Sequence, residues 1–186
     1  GWQLTGAVTF YESDVSMKYC SFLNSHCEDA LNLIRLSFDM MHCRIKNTFS
    51  DGFDADFCKG KISDSYFLAT GNDGMDFSGS EITIKNCEIK QAGDKGISVG
   101  EEAKVSIINA DIDGAIIGVA SKDLSILTIK NISLKNCKQG FAAYQKKPEY
   151  GGSTIVVKDY TAENVKHLYQ IEQTSSLTLK GKRVEN

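Results

Sequence analysis

The segment 71-GNDGMDFSGS-80 decides the fold, because its pattern of glycine, acidic and apolar residues recurs along the chain. Similar segments are 28-EDALNL-33, 50-SDGFDAD-56 and 94-DKGISVG-100. Their first equivalent positions, at spacings of 22 residues, are Asp29, Asp51, Asp73 and Lys95. A fixed period of this length indicates a repeat protein in which each copy forms one coil of a solenoid.

Apolar and polar positions each keep the same spacing. The apolar set is Leu31, Phe53, Met75 and Ile97, and the polar set is Asn32, Asp54, Asp76 and Ser98. Neighbouring side chains in a strand point to opposite faces, so we expect the apolar set inside the coils and the polar set outside. Equivalent residues should then stack about 4.8 Å apart, the distance between paired strands.

A second register of short strands has spacings of 22 or 23 residues and runs through Cys20, Cys43, Ser65, Cys87, Ala110 and Ile132. Short strands with glycine at the turns predict an all-β parallel β-helix of about seven to eight coils. We expect residues 1–186 to form one such domain, as part of a longer protein. The segment 145-QKKPEYGG-152 is expected to be a loop inserted into one coil.

Composition narrows the possible partners. The net charge of −3 does not favour binding to nucleic acid. The sequence has no run of about 18 apolar residues, so membrane insertion is not predicted. Charge is uneven along the chain, because residues 51–102 hold 11 carboxylates and 5 lysines. Residues 122–186 instead hold 11 basic and 6 acidic side chains. The acidic character therefore belongs to particular coils.

Stacked aspartates repel one another, and three interpretations of them are open. They accept backbone N–H bonds at the coil corners, as Asp and Asn do in turns. Alternatively, they bind Ca²⁺ through Asp51, Asp54, Asp73 and Asp76, so that the predicted cofactor is either none or calcium. In the third interpretation, paired carboxylates act as acid and base on a sugar.

Over nearly its whole length the sequence resembles right-handed parallel β-helix repeat proteins with the pectin lyase-like fold. That resemblance implies a right-handed solenoid and a sugar chain along an outer groove. Within this class, three segments resemble β-helix parts of bacterial surface proteins that carry spore-coat-kinase-like or lamin-tail-like modules: 93-GDKGISVGE-101, 119-VASKDLS-125 and 143-AYQKKPEYGG-152. This narrower resemblance implies an extracellular or cell-surface location and no established activity.

A local resemblance to polygalacturonase-type glycoside hydrolases rests on 49-FSDG-52 and 71-GND-73. Asn72 stands where that family has a required Asp, and Lys95 stands where it has His. These departures disfavour hydrolysis and leave Asp51, Asp73 and Lys95 as the catalytic candidates. In a polysaccharide lyase, Lys95 would take the α-proton; alternatively, it is a salt-bridged lysine that closes the aspartate ladder.

Cysteines, histidines and the inserted loop complete the candidates. Cys20, Cys43 and Cys87 are expected as small buried residues, and their parallel side chains disfavour a disulfide. His26 and His42 are expected at the surface. Tyr144 and Lys146, beside the loop, suit an anionic sugar and join Asn32, Asp54, Asp76 and Ser98 as predicted ligand-binding residues.

The leading functional hypothesis is a non-catalytic module that presents a long polar face to a glycan or protein, in a bacterial surface or secreted protein. The first alternative is a carbohydrate-active enzyme, a polysaccharide lyase before a glycoside hydrolase. The second is a structural spacer. The sequence leaves open the ligand, the oligomeric state and the redox state of the six cysteines.

Overall fold

The structure, a computed structural model, describes residues 4–185. Their regular elements are strands: β1 (Gly6–Tyr11), β2 (Val15–Lys18), β3 (Ser21–Leu23), β4 (Asp29–Ile34), β5 (Ser37–Met41), β6 (Arg44–Thr48), β7 (Asp51–Asp56), β8 (Lys59–Ser63), β9 (Tyr66–Thr70), β10 (Met75–Ser78), β11 (Glu81–Lys85), β12 (Cys87–Ala92), β13 (Lys95–Gly100), β14 (Lys104–Ile107), β15 (Ala110–Lys122), β16 (Ile126–Tyr144), β17 (Thr154–Glu163), β18 (His167–Ile171), β19 (Ser176–Leu179) and β20 (Lys182–Arg183). Residues 4–185 contain no helix long and apolar enough to span a membrane.

Strands β1 to β19 wind into a parallel solenoid with three faces, in which each strand pairs with its equivalent in a neighbouring coil. The short β20 pairs antiparallel with β19. Face A consists of β1, β4, β7, β10, β13, the ends of β15 and β16, and β18. Face B contains β2, β5, β8, β11, β14, the starts of β16 and β17, and β19. Face C is built from β3, β6, β9, β12, the start of β15, the middle of β16 and the end of β17. The prediction of an all-β parallel solenoid of about eight coils is thereby confirmed.

The predicted register is confirmed strand by strand. In β7, Phe53 lies opposite Leu31 of β4 and Met75 of β10. Phe141 lies opposite Tyr169, so their spacing in sequence is 28 and the last face A coil contains six additional residues. Those residues form the loop between β16 and β17, at the position predicted for an insertion.

Apolar side chains from all three faces fill the interior of the coils. On face A the inward column of Leu31, Phe53, Met75, Ile97, Val119 and Phe141 is fully buried. The rings of Phe53 and Phe77 pack in tilted contact, with centroids 5.9 Å apart. Each fully buried side chain of this size contributes about 1.5–3 kcal/mol through the hydrophobic effect. The interior stack is therefore the main source of stability.

Some of the cysteines lie in this interior and others do not. All six are free thiols, and Cys43 and Cys87 are buried as predicted. Cys20 is half-buried and packs against the core from its edge, whereas Cys27 is exposed. His26 and His42 are exposed, as the sequence predicted.

A column of glycines marks the start of face A in successive coils: Gly52, Gly74, Gly96, Gly118 and Gly140. A Cβ atom on Gly96 would lie 2.7 Å from the carbonyl oxygen of Gly118 and 2.8 Å from Cγ2 of Ile112. Neither the backbone of the next coil nor the packed isoleucine has room for it. Glycine is required here because the coils approach closely.

Candidate functional site

Aspartates at the corner before face A connect successive coils. The carboxylate Oδ1 of Asp51 accepts the backbone N–H of Asp73 at 2.8 Å, and Oδ1 of Asp73 accepts the backbone N–H of Lys95 at 3.0 Å. Asp51 also accepts the side-chain amide of Asn72 at 2.7 Å. These side chains serve as backbone acceptors, but between coils and not within their own turns.

Burial changes the acidity of these corner carboxyls. It raises the pKa of Asp73 to about 6, although the neighbouring Lys95 ammonium opposes the rise. Burial likewise raises the pKa of Asp51. At Asp29 it raises the pKa to about 6, against a hydrogen bond of 2.9 Å from the Thr5 hydroxyl. In the corner column, Asp29 and Asp73 are thus buried, whereas Asp51 is half-buried.

Lys95 ends this column in an ion-pair cluster. Its Nζ lies 3.4 Å from Oδ1 of Asp73 and also contacts the carboxylate of Asp94, and its side chain is 13% exposed. Burial alone would lower the pKa of this lysine, but Asp73 and Asp94 outweigh it and raise the pKa above its usual value. Lys95 therefore remains an ammonium near neutral pH and is unsuited to removing a proton from a sugar.

The outward column of face A contains Asn32, Asp54, Asp76 and Ser98 in successive coils, as predicted. The side-chain amide of Asn32 donates to Oδ2 of Asp54 at 2.9 Å. Burial, followed by the charges of Asp56 and Asp29, raises the pKa of Asp54 to about 9. Asp54 consequently carries a proton near pH 7 in the free protein.

Two long side chains from the later coils cover the far end of the outward column. Lys122 extends along the face over Gly100, and its Nζ lies 3.7 Å from Oδ2 of Asp76. Ser98 is fully buried, and its hydroxyl has no hydrogen-bond partner in residues 4–185. Tyr144 is half-buried; burial raises its pKa, against the opposing charge of Lys95. These side chains cover part of this end of the column, where the Asp76 side chain is 23% exposed.

The near end of the column opens into a hollow of about 590 Å³, here called the A pocket. Its lining consists of Leu4, Thr5, Tyr11, Asn32, Ile34, Asp54 and Asp56. Carboxyl, amide and hydroxyl groups therefore face the same space as an aromatic ring and two aliphatic side chains. Burial also raises the pKa of Asp56, with a contribution from the charge of Glu101.

The structure brings some predicted residues together and separates others. Asn32 and Asp54 meet in the A pocket, whereas Asp76 and Ser98 lie toward its covered end. Lys146 has an exposed side chain, while its backbone N–H donates to Oδ1 of Asp123 at 2.6 Å and anchors the loop. These residues remain predictions as ligand contacts.

Sequence reasoning did not find Leu4, Thr5, Tyr11, Ile34 or Lys122. A signal existed for Lys122, because the 22-residue spacing continues from Ser78 through Gly100 to Lys122. For the first coil, β1 pairs with β4 at a spacing of 23, as at Val8 and Leu31. The altered spacing hid the first copy of the repeat.

Calcium coordination by Asp51, Asp54, Asp73 and Asp76 stays a prediction. Within the described part of the chain, no group of three or more His, Cys, Asp or Glu side chains is placed to hold a metal ion. One carboxylate oxygen of Asp51 and one of Asp73 already accept backbone N–H groups. A calcium ion would have to use the remaining oxygens.

Comparison with known proteins identifies the family from the sequence. No curated protein and no solved structure matches the chain. The family described as "Right handed beta helix region" matches residues 29–184. This match runs from the first strand of the second coil to the last strand of the structure. The chain therefore belongs to the right-handed β-helix family.

Proposed function

We propose that this chain is a non-catalytic module that binds a glycan on face A, with one sugar unit seated in the A pocket. The observation that carries the proposal is the mixed lining of that pocket. Asn32, Asp54 and Asp56 offer polar groups beside Tyr11 and Ile34. Sugars present hydroxyls at their edges and C–H groups on their faces, so they need both kinds of contact.

The size of the pocket fits this role. Its volume of about 590 Å³ lies within the range of small-molecule sites, which is about 300–1,000 Å³. Beyond the pocket, face A continues along the solenoid axis at about 4.8 Å per coil. A polymer could extend along it, while the pocket would hold a single unit. A glycan suits this geometry better than a protein, which would cover a broad area.

The candidate catalytic residues favour binding over turnover. Asp51 and Asp73 hold the backbone of the following coils, and Lys95 is held as an ammonium between two carboxylates. An acid and a base for inverting hydrolysis must lie about 6.5–9.5 Å apart across an accessible bond. Asp73 is buried at this corner and Asp51 is half-buried, so a sugar has little access to such a pair.

One observation favours the enzymatic alternative. Asp54 has a pKa raised to about 9, and a protonated carboxyl in a pocket is the kind of group that donates a proton to a leaving sugar oxygen. Under this alternative, incubation with polysaccharides would release new reducing ends or unsaturated products, and Asp54→Asn would abolish the release. The proposed binding module releases neither.

The proposal includes the location of the module. The resemblance to β-helix segments of bacterial surface proteins supports an extracellular or cell-surface location.

If the face A aspartates bind a calcium ion, adding calcium should raise the melting temperature, and adding a chelator should lower it. An unchanged melting temperature would remove calcium from the proposal.

A glycan array followed by calorimetry tests the function. We expect the protein to retain oligosaccharides without shortening them, and Ile34→Ala to weaken binding about tenfold by removing an apolar wall of the pocket. Leu68→Ala is the matched control, because Leu68 is an equally half-buried residue on face C. Absence of any bound glycan would overturn the proposal and favour a structural spacer. If both variants weaken glycan binding equally, the A pocket is not the binding site.

A further inference from the structure

We infer that the A pocket selects a sugar unit with a free amino group, as in a glucosamine polymer, held as an ammonium between Asp54 and Asp56. The inference rests on the proposed function and names its ligand class. Both aspartates belong to β7 and line the same hollow. They lie two residues apart, so both side chains point outward from the same face of the strand.

The first support is the pattern of charge pairing on face A. Asp76 pairs with Lys122, Asp73 and Asp94 pair with Lys95, and Glu101 pairs with Lys147. In residues 4–185, neither Asp54 nor Asp56 has a lysine or arginine within ion-pair distance. The two carboxyls that line the pocket therefore have no ion-pair partner among these residues, and Lys147 acts on Asp56 only as a more distant charge.

The second support is an excess of hydrogen-bond acceptors. The Thr5 hydroxyl already donates to Asp29, and the Asn32 amide donates to Asp54. Asn32 is 3% exposed and lines the pocket, and its side-chain N–H donates to Asp54. The side-chain carbonyl of Asn32 can only accept hydrogen bonds, so it adds an acceptor to the same wall. An ammonium supplies three N–H donors and no acceptor, which matches Asn32, Asp54 and Asp56.

The third support is how the pocket balances charge when empty and when filled. Burial raises the pKa of Asp54 to about 9, so the free protein holds a proton there near pH 7. When a neutral amine enters, the carboxyl O–H bond breaks and an N–H bond forms, which leaves a carboxylate and an ammonium in contact. No other reactant is needed. A uronic acid offers no amine to take this proton and would place a second negative charge beside Asp56.

Calorimetry with three oligosaccharides of equal length tests the inference: a glucosamine oligomer, its fully N-acetylated form and a galacturonic acid oligomer. At about pH 7 and about 0.15 M salt, we expect the glucosamine oligomer to bind at least about tenfold more tightly than the acetylated form. No binding of the galacturonic acid oligomer is expected. If the glucosamine oligomer and its N-acetylated form bind equally, the amine selectivity is wrong and the glycan-binding proposal stands. If none of the three oligomers binds, the amine selectivity is wrong, and the glycan array decides the glycan-binding proposal separately.

Matched substitutions locate the selectivity. Asp54→Asn and Asp56→Asn should each reduce the preference for the glucosamine oligomer over the acetylated oligomer about tenfold. Asp39→Asn makes the same change of charge at an exposed position on face B and should leave the preference intact. A reduction with Asp39→Asn as large as with Asp56→Asn would mean that overall charge attracts the amine, and would overturn the inference. Circular dichroism confirms that each variant is folded.

Discussion

At the scale of single residues, Asp73 holds two coils together. Its carboxylate accepts the backbone N–H of Lys95 and pairs with the ammonium of the same residue. The side chain of Asp73 is 3% exposed, so replacement by alanine leaves a buried N–H and a buried ammonium with fewer partners. We expect Asp73→Ala to lower the free energy of unfolding in urea by about 3 kcal/mol.

Asp73→Asn separates the two roles of this carboxylate, because the amide oxygen still accepts the N–H of Lys95 while the charge is lost. Its effect should be smaller than that of alanine. Asp111→Ala, at an exposed position on face C, is the control and should change stability by less than about 0.5 kcal/mol. A result for Asp73→Ala within that range would show that the corner column does not join the coils.

Asp54 makes a prediction about pH. Burial raises its pKa from 3.8 to about 9, so the folded protein binds a proton that the unfolded chain releases above about pH 4. The stability from this group is fully present below pH 3.8 and is lost as the pH rises toward 9. We expect the melting temperature to fall between about pH 5 and about pH 9, and Asp54→Asn to flatten that fall.

The control variant is again Asp39→Asn, which makes the same substitution at an exposed position on face B. Asp29 and Asp73, with pKa values of about 6, contribute in the same direction but complete their change near pH 6. If the melting temperature of Asp54→Asn still falls with pH above about pH 7, the pH dependence belongs to another group.

At the scale of strands, the glycine column sets how closely the coils approach. In β13, a Cβ at Gly96 would meet the carbonyl oxygen of Gly118 at 2.7 Å. Because that neighbour is backbone, it cannot move without shifting the next coil. We expect Gly96→Ala to lower the free energy of unfolding by about 2–3 kcal/mol, measured in urea.

Gly151→Ala in the inserted loop is the matched glycine control. A Cβ at that position meets only the side chain of Leu124, which is 46% exposed and free to turn away. The substitution should therefore change stability by less than about 0.5 kcal/mol. Equal losses in the two variants would indicate a general effect of removing glycine from the chain, not close approach of the coils.

Strand pairing could be predicted from the sequence because the period fixes it. Once Phe53 and Met75 are 22 residues apart and apolar, their stacking follows, and Asp54 and Asp76 follow on the outside. The period does not state how far a long side chain reaches along the axis. Lys122 extends across Gly100 to Asp76, and that reach covers one end of the outward column. The pocket also depends on Leu4 and Thr5, which precede the recognisable repeat.

At the scale of the whole molecule, each coil contacts only its neighbours, so stability is a sum of stacking contacts along one axis. The chain also carries its charge unevenly, with the acidic coils of residues 51–102 followed by the basic residues 122–186. Shared interior packing must therefore hold together coils with different surfaces. Phe77 lies in the middle of this stack, fully buried and in contact with the ring of Phe53.

Removing that central contact should uncouple the two halves of the solenoid. We expect Phe77→Ala to lower the free energy of unfolding by about 3–5 kcal/mol. Hydrogen exchange should then accelerate in the coils on both sides, because each loses a stacked neighbour. Leu179→Ala, near the C-terminal end of the axis, removes an apolar contact from β19, which pairs with β17 and with the short β20. Its effect on exchange should be confined to β17, β19 and β20. If Phe77→Ala accelerates exchange only in β10, its own strand, the coils are independent, and stacking does not transmit stability along the axis.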